Sequence, residues 1–235
     1  MRVVSLVPSA TETLLTLDVA PIACTRFCDQ PGIPTVGGTK TPDVAAIVDL
    51  APDLVVVNNE ENRREDAAAL ADAGVALHDC SPRSVADVGP AVVALAAAVG
   101  ATAPPGFDAP AWDEWVQARP RRAGRRVVAL VWRRPWMGLG ADTYGASMLD
   151  AIGLTPAVAP GSSDRYPTYS IEDLGALAPD LVVLPSEPYP FRDRHVTELQ
   201  RVVPDARVEL VDGRDLFWWG TRTPNAVARL EARLR

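Results

Sequence analysis

Residue types that do chemistry are sparse in this chain. There are three cysteines and two histidines among 235 residues. Cys24 and Cys28, with His78 and Cys80 further along, are of the types that hold zinc. His78 and Cys80, however, alternate along a stretch that reads as a strand, which favours small buried side chains and no metal site. Three cysteines cannot all pair, so no disulfide framework is implied. A nucleophile, base and acid triad would have to use His78 or His195. His195 sits in the charged run Arg192-Asp193-Arg194-His195, which reads as a solvated helix start. Glu60 and Glu61 are adjacent carboxylates of the kind used in acid–base chemistry, but a first helical turn, where carboxylates meet the positive end of the dipole, accounts for them. There is no Gly-x-Ser-x-Gly elbow and no phosphate-cradling glycine loop, and Gly138-Leu139-Gly140 is too short for a dinucleotide fingerprint. No catalytic residue is assigned.

The large aromatics are more informative. Of six tryptophans, Trp132, Trp136, Trp218 and Trp219 fall in predicted loops rather than inside elements. Aromatic rings in loops offer broad, stiff contact area to a bulky, flat or partly apolar ligand. Arg133 lies between the first two. Tyr166 and Tyr169 occupy a loop before a helix.

The elements that position these residues come in two copies. Leu50-Ala51-Pro52-Asp53-Leu54-Val55-Val56-Val57 recurs as Leu177-Ala178-Pro179-Asp180-Leu181-Val182-Val183-Leu184. Arg2-Val3-Val4-Ser5-Leu6-Val7 recurs as Arg126-Val127-Val128-Ala129-Leu130-Val131. Thr41-Pro42-Asp43 and Ser170-Ile171-Glu172-Asp173 open helices before the two longer copies, with cap-type side chains for the free amides. The short Val/Leu runs fit parallel strands buried on both faces. Helical patterns lie between them over Asp66–Ala73, Val85–Val99, Thr143–Ile152 and Ala226–Leu234. Gly153 stops the third. This alternation predicts an α/β fold of two similar lobes with mainly parallel sheets. Ala101 to Gly106 reads as a linker, followed by a helix over Asp108–Ala118 that Pro120 ends. The expected division is an N-terminal lobe over 1–103, a connecting helix over 104–122 and a C-terminal lobe over 123–235. In open parallel sheets ligands bind beyond the carboxyl ends of the strands. That rule selects Asn58 after the first Leu-Ala-Pro-Asp strand, Trp132 to Trp136 after Val131, and the loop leading to Trp218 and Trp219. Glu60 and Glu187 occupy equivalent positions in the two copies, a pseudo-twofold pair suited to a symmetric partner.

Composition sets the class. With 48% hydrophobic residues the chain is long enough to bury a core without staples. Net charge is −7, and the basic run Arg119, Arg121, Arg122, Arg125 and Arg126 reads as a solvated linker, so nucleic-acid binding is not expected. No apolar run reaches the ~18 residues that cross a bilayer, so no membrane insertion is expected. Glu12 and Asp18 interrupt the apolar core that an export signal needs. As encoded the expected location is cytoplasmic, and a start further upstream would make it periplasmic or cell-surface.

The ordered set of motifs resembles one family over nearly the whole chain. Val4-Ser5-Leu6-Val7-Pro8-Ser9-Ala10-Thr11-Glu12, Cys28-Asp29-x-Pro31, Val36-Gly37-Gly38 and both Ala-Pro-Asp-Leu-Val copies are similar to the helical-backbone metal receptors. These are the vitamin B12 and siderophore solute-binding proteins of ABC importers, and the cobalamin-binding branch is the nearest. The resemblance implies two α/β lobes joined by one rigid helix, with the ligand cleft between the lobes. It implies a non-catalytic binding protein for cobalamin or another corrinoid, or for a ferric siderophore, with no intrinsic cofactor and the metal arriving inside the ligand. It also implies an ABC permease partner docked by one acidic residue per lobe: Glu60, Glu61 or Glu65, and Glu187 or Glu198. Ligand contacts fall by position on Trp132, Arg133, Trp136, Tyr166, Tyr169, Trp218 and Trp219. Asn58 is polar where those binders present an aromatic. The alternative is an intracellular cofactor-handling enzyme or sensor module on the same scaffold.

Overall fold

The computed structural model describes residues 1–119, 124–159 and 162–235. Pro120, the expected helix end, and Arg121 and Arg122 of the basic run lie outside the described residues. The chain forms two compact units. The N-terminal unit comprises Met1–Pro82, Ala86–Asp113 and Trp219–Arg222, and the C-terminal unit Arg83–Val85, Glu114–Trp218 and Thr223–Arg235.

The N-terminal unit runs β1 (Val3–Ser5), α1 (Pro8–Thr16), β2 (Ala23–Cys24), β3 (Gly37–Gly38), β4 (Thr41–Pro42), α2 (Val44–Asp49), β5 (Leu54–Val57), α3 (Arg64–Asp72), β6 (Leu77–Asp79) and α4 (Val88–Ala98). Its main sheet has the order β2-β1-β5-β6, parallel throughout. Val4, Val55 and Val57 from its strands, with Leu6 just past β1, meet Ile47 and Leu70 from α2 and α3 in one core. The predicted caps are present: Asp43 accepts the Ala46 amide at 3.0 Å. Pro8 opens α1, where its missing N–H costs nothing. α4 begins at Val88, not at the expected Val85. Pro90 has no N–H to bond back by four residues, so the helix must start close enough to leave it in the first turn.

The boundary between the units falls inside α5 (Ala109–Gln117). The C-terminal unit continues with β7 (Arg126–Arg133), β8 (Trp136–Gly138), α6 (Tyr144–Ala151), β9 (Thr155–Pro156), β10 (Thr168–Tyr169), α7 (Ile171–Ala176), β11 (Leu181–Pro185), α8 (Asp193–Gln200), β12 (Arg207–Val211), α9 (Gly213–Phe217) and α10 (Thr223–Leu234). β7, β9, β11 and β12 are parallel, while β8 and β10 add an antiparallel flank. The mainly parallel α/β reading is therefore correct, with this flank as the addition. The Ser170 hydroxyl accepts the Asp173 amide at 3.0 Å while the Asp173 carboxylate accepts the Ser170 amide at 2.9 Å. That reciprocal pair starts α7 as its sequence predicts.

The repeated Leu-Ala-Pro-Asp segment does the same job in both units. Its Leu ends a helix, Leu50 after α2 and Leu177 after α7. Its Ala turns the chain at positive φ, 43° for Ala51 and 44° for Ala178. Its Asp then clamps the start of the neighbouring strand. The Asp53 carboxylate accepts the Arg2 amide at 2.6 Å and the Asp53 amide donates back to the Arg2 carbonyl at 2.8 Å. Asp180 does this to Arg126 at 2.6 and 2.9 Å. Each clamp fixes its strand register: Val3 opposite Leu54, and Val127 opposite Leu181.

Candidate functional site

The strand β7 carries the site. Its first half is a buried parallel strand, and its second half bends out to pair antiparallel with β8, with a register shift between Leu130 and Trp132. Such an irregularity re-aims the side chain next to it. Val131 is 6% exposed, whereas Trp132 is 44% exposed. The expectation had β7 ending at Val131 with a loop beyond. Instead Trp132 and Arg133 belong to a hairpin whose turn is Arg134-Pro135.

Trp132 stands over an aromatic cluster. Tyr189 meets it edge-on, ring centres 5.5 Å apart. Tyr189 in turn packs on Phe191 at 4.8 Å, and Phe191 stacks on Trp136 at 6.3 Å with nearly parallel rings. Trp136 and Tyr189 are half-buried against the core, and Phe191 is part of it. The cluster fixes the Trp132 ring from below and leaves its outer face open.

A pocket of about 410 Å³ opens beside this ring, lined by Trp132, Arg133, Arg134, Tyr189, Arg194, His195 and Glu198. All seven belong to the C-terminal unit. Arg133 forks onto Glu198, at 3.1 Å through Nε and 2.5 Å through the second nitrogen. The carboxylate pushes the Arg133 pKa further up. The guanidinium also covers the Trp136 ring at 5.1 Å. This pair is a closed, neutral wall.

His195 is 2% exposed. It takes the third position of α8, where its Nδ1 accepts the Arg192 amide at 2.9 Å. Burial first, then the Arg194 and Arg133 charges, push its pKa below the ordinary histidine value, so the ring is neutral at pH 7. A neutral imidazole has one donor nitrogen and one acceptor. With Nδ1 accepting a backbone N–H, the proton sits on Nε2 and points to the Tyr189 hydroxyl at 3.5 Å. Arg194 Nε, itself a donor, lies 3.2 Å from the same nitrogen and gains nothing from it in this tautomer. His195 therefore has no lone pair to offer a metal or a substrate proton. It is the helix start its sequence suggests, but a buried one rather than a solvated one.

Trp132, Arg133 and Trp136 lie together, and Arg134, Tyr189, Arg194, His195 and Glu198 join them. The same rule of strand carboxyl ends reaches the added residues, because α8 follows the loop after β11. Other expected ligand residues are occupied elsewhere. Tyr169 is 7% exposed and packs in the C-terminal core against Gly138. Trp218 is 8% exposed, and its indole donates to Glu187 at 2.6 Å. Trp219 is 3% exposed, in the N-terminal unit. Asn58 is buried, its amide donating to the Cys80 carbonyl at 2.7 Å and accepting from the Glu60 amide at 2.8 Å. It builds the turn after β5. In this structure these four side chains are packing and turn residues. Tyr166 stays exposed, with the Arg165 guanidinium 5.8 Å from its ring centre.

Glu60 and Glu187 lie in turns, and the helices that follow begin only at Arg64 and Asp193. Among the described residues, no three histidine, cysteine or acidic side chains converge on a metal position. The Cys28 thiol meets the Thr11 and Thr25 hydroxyls at 3.2 and 3.3 Å. Burial pushes the Cys24 and Cys80 thiols up to about 12, so they remain protonated and unreactive.

No family model matches the chain. A curated relative, the sugar fermentation stimulation protein homolog of Synechococcus sp. (strain RCC307), is 32% identical over 100 residues. That is 40% of this chain and 40% of that protein, so the chain spans less than half of the curated relative it matches. Solved structures match almost end to end. The periplasmic vitamin B12 binding protein BtuF of Vibrio cholerae is 20% identical with a TM-score of 0.77, over 99% of this chain and 96% of that one. The periplasmic heme binding protein HutB of the same organism is 18% identical with a TM-score of 0.79, over 99% and 98%. A periplasmic heme binding protein from Pseudomonas aeruginosa is 20% identical with a TM-score of 0.76, over 98% and 91%. The chain has the fold of these proteins. Among the described residues no helix is long and apolar enough to cross a membrane.

Proposed function

We propose that the protein is a non-catalytic solute-binding protein for a bulky metal-containing cofactor of the corrinoid, heme or ferric-siderophore kind, which it hands to an ABC permease. The fold supports this class of function by analogy. The observation that carries the site is Trp132, an indole 44% exposed yet braced from beneath by Tyr189. A soluble protein that leaves a fixed aromatic face uncovered beside a pocket has built a surface for another flat apolar body. At about 410 Å³ the pocket sits toward the small end of the ~300–1,000 Å³ usual for ligand sites, so it grips an edge or arm of a large cofactor. In this reading the metal travels inside the ligand.

In this reading Glu60 and Glu187, at equivalent positions in the two copies of the repeat, are the candidate permease-docking carboxylates. The test is a tryptophan-fluorescence titration with cobalamin, cobinamide, heme and a ferric siderophore, corrected for absorbance. One of them should quench saturably. Trp132→Ala should weaken it about 30-fold, the weight of a buried aromatic hot spot of ~2 kcal/mol, while Glu60→Arg leaves the titration unchanged and abolishes uptake in cells. Equal affinity in wild type and Trp132→Ala would remove the site, and no saturation by any of the four would remove the function.

A further inference from the structure

We infer that the pocket beside Trp132 selects a ligand bearing acidic groups, carboxylate or phosphate, and that Arg134 and Arg194 are the residues that read them. This rests on the reading that the pocket is the solute site, and narrows it to one substrate class. The chain as a whole is acidic, with a net charge of −7. The pocket lining reverses that sign: three guanidinium groups against one carboxylate. Arg133 and Glu198 cancel through their fork. The remaining lining side chains, Trp132, Tyr189 and His195, are neutral. Arg134 and Arg194 are left, both exposed, and among the described residues neither meets a carboxylate.

Two uncancelled guanidinium groups at the mouth of one pocket repel each other, and an anion between them relieves this. Guanidinium suits the task because its planar fork matches carboxylate and phosphate oxygens two at a time. Arg134 is also placed at a cost. Its φ is 144°, a region where L-residues are rare and glycine is the usual occupant. A turn that needed only to reverse the chain would be served better by glycine there. Trp132 and the arginines together describe a flat body with acidic arms.

The test compares heme with heme dimethyl ester, which keeps the metal and the ring but loses both acidic arms. Metal-free naphthalene-2,6-dicarboxylate serves as a second probe. Binding is measured at 50 and 500 mM salt in the wild type, Arg134→Gln, Arg194→Gln and, as a surface control, Arg64→Gln. Thermal unfolding reports that each variant is folded. We expect heme to bind at least tenfold more tightly than its ester, and more weakly at high salt. Each pocket variant should lose about five- to tenfold for heme and nothing for the ester, with Arg64→Gln unchanged. Ester binding equal to heme, indifferent to both arginines, overturns acid recognition and leaves the metal-cofactor reading standing. Arginine-dependent binding of the naphthalene diacid without binding of any metal complex upholds acid recognition and overturns the cofactor reading. Failure of both heme and the diacid to bind overturns acid recognition.

Discussion

His195 ties the local chemistry of the pocket to the stability of the whole chain. Its folded pKa lies below the ordinary value of about 6.5, so protons bind the unfolded chain more readily than the folded one. The stability it contributes is full above about pH 6.5 and is lost as pH falls from there through the folded pKa. His78 is shifted the same way, by burial first. They are the chain's only histidines. Melting temperature should therefore drop between pH 7.5 and 5.5, above the range where carboxylates titrate. His195→Gln, whose side-chain oxygen can still accept the Arg192 amide, should flatten that drop. Equal drops in wild type and variant would place the loss elsewhere. At this scale the sequence discloses less than it promises. Trp132 and Trp218 both follow predicted strands, and nothing in their neighbours distinguishes them. The first is turned outward by a register shift in β7, and the second is drawn inward by a carboxylate 31 residues away in sequence. Contacts of that range are set by tertiary packing, which periodicity does not encode.

The elements were the most legible part, because the repeated Leu-Ala-Pro-Asp strands and their capped helices are local signals. Their shared mechanism was not legible: the Asp reaches across to another strand, and the positive φ falls on alanine rather than glycine. Both features predict opposite responses to substitution. Asp180→Ala leaves the Arg126 amide without its carboxylate and should cost about 1 kcal/mol, the net worth of such a bond. Ala178→Gly relieves a left-handed conformation that costs an L-residue ~1–2 kcal/mol. It gives back part of that as unfolded-chain entropy, for a net gain of about 0.5 kcal/mol. Urea unfolding of the two variants checks the signs, and Asp53→Ala and Ala51→Gly should repeat them in the N-terminal unit. A loss in Ala178→Gly would mean that the methyl group packs well enough to outweigh the backbone strain. The β7–β8 hairpin escaped the sequence reading for a different reason. Trp-Arg-Arg-Pro has loop composition, and the shift at Leu130 breaks the alternation that would have marked it as strand.

At the scale of the molecule, the two compact units are not contiguous in sequence. The expected cut into 1–103, 104–122 and 123–235 follows sequence order, whereas the N-terminal unit recovers Trp219–Arg222 from near the far end. That short return is closely fitted. A side chain on Gly220 would collide with the Thr13 hydroxyl, and Gly220 holds a φ of 118°. Arg222 pairs with Glu12 at 3.0 Å and Thr221 bonds Thr16 at 3.1 Å. All these partners stand on α1, where Ser9 and Thr13 are buried. The three cysteines report on this unit alone: all belong to it, and each is at most 2% exposed. In the full chain they should resist a thiol reagent such as DTNB until denaturant is added, since burial keeps the reagent from all three. A fragment ending at Arg119 contains every strand of the N-terminal sheet but not the returning segment. Its thiols should label at least tenfold faster in native buffer, and it should unfold at lower urea than the same cysteines do in the whole protein. Protection equal to that of the full chain would show that α1 needs no cover from the C-terminal end, and that the N-terminal unit is contiguous in energy even though it is not contiguous in sequence.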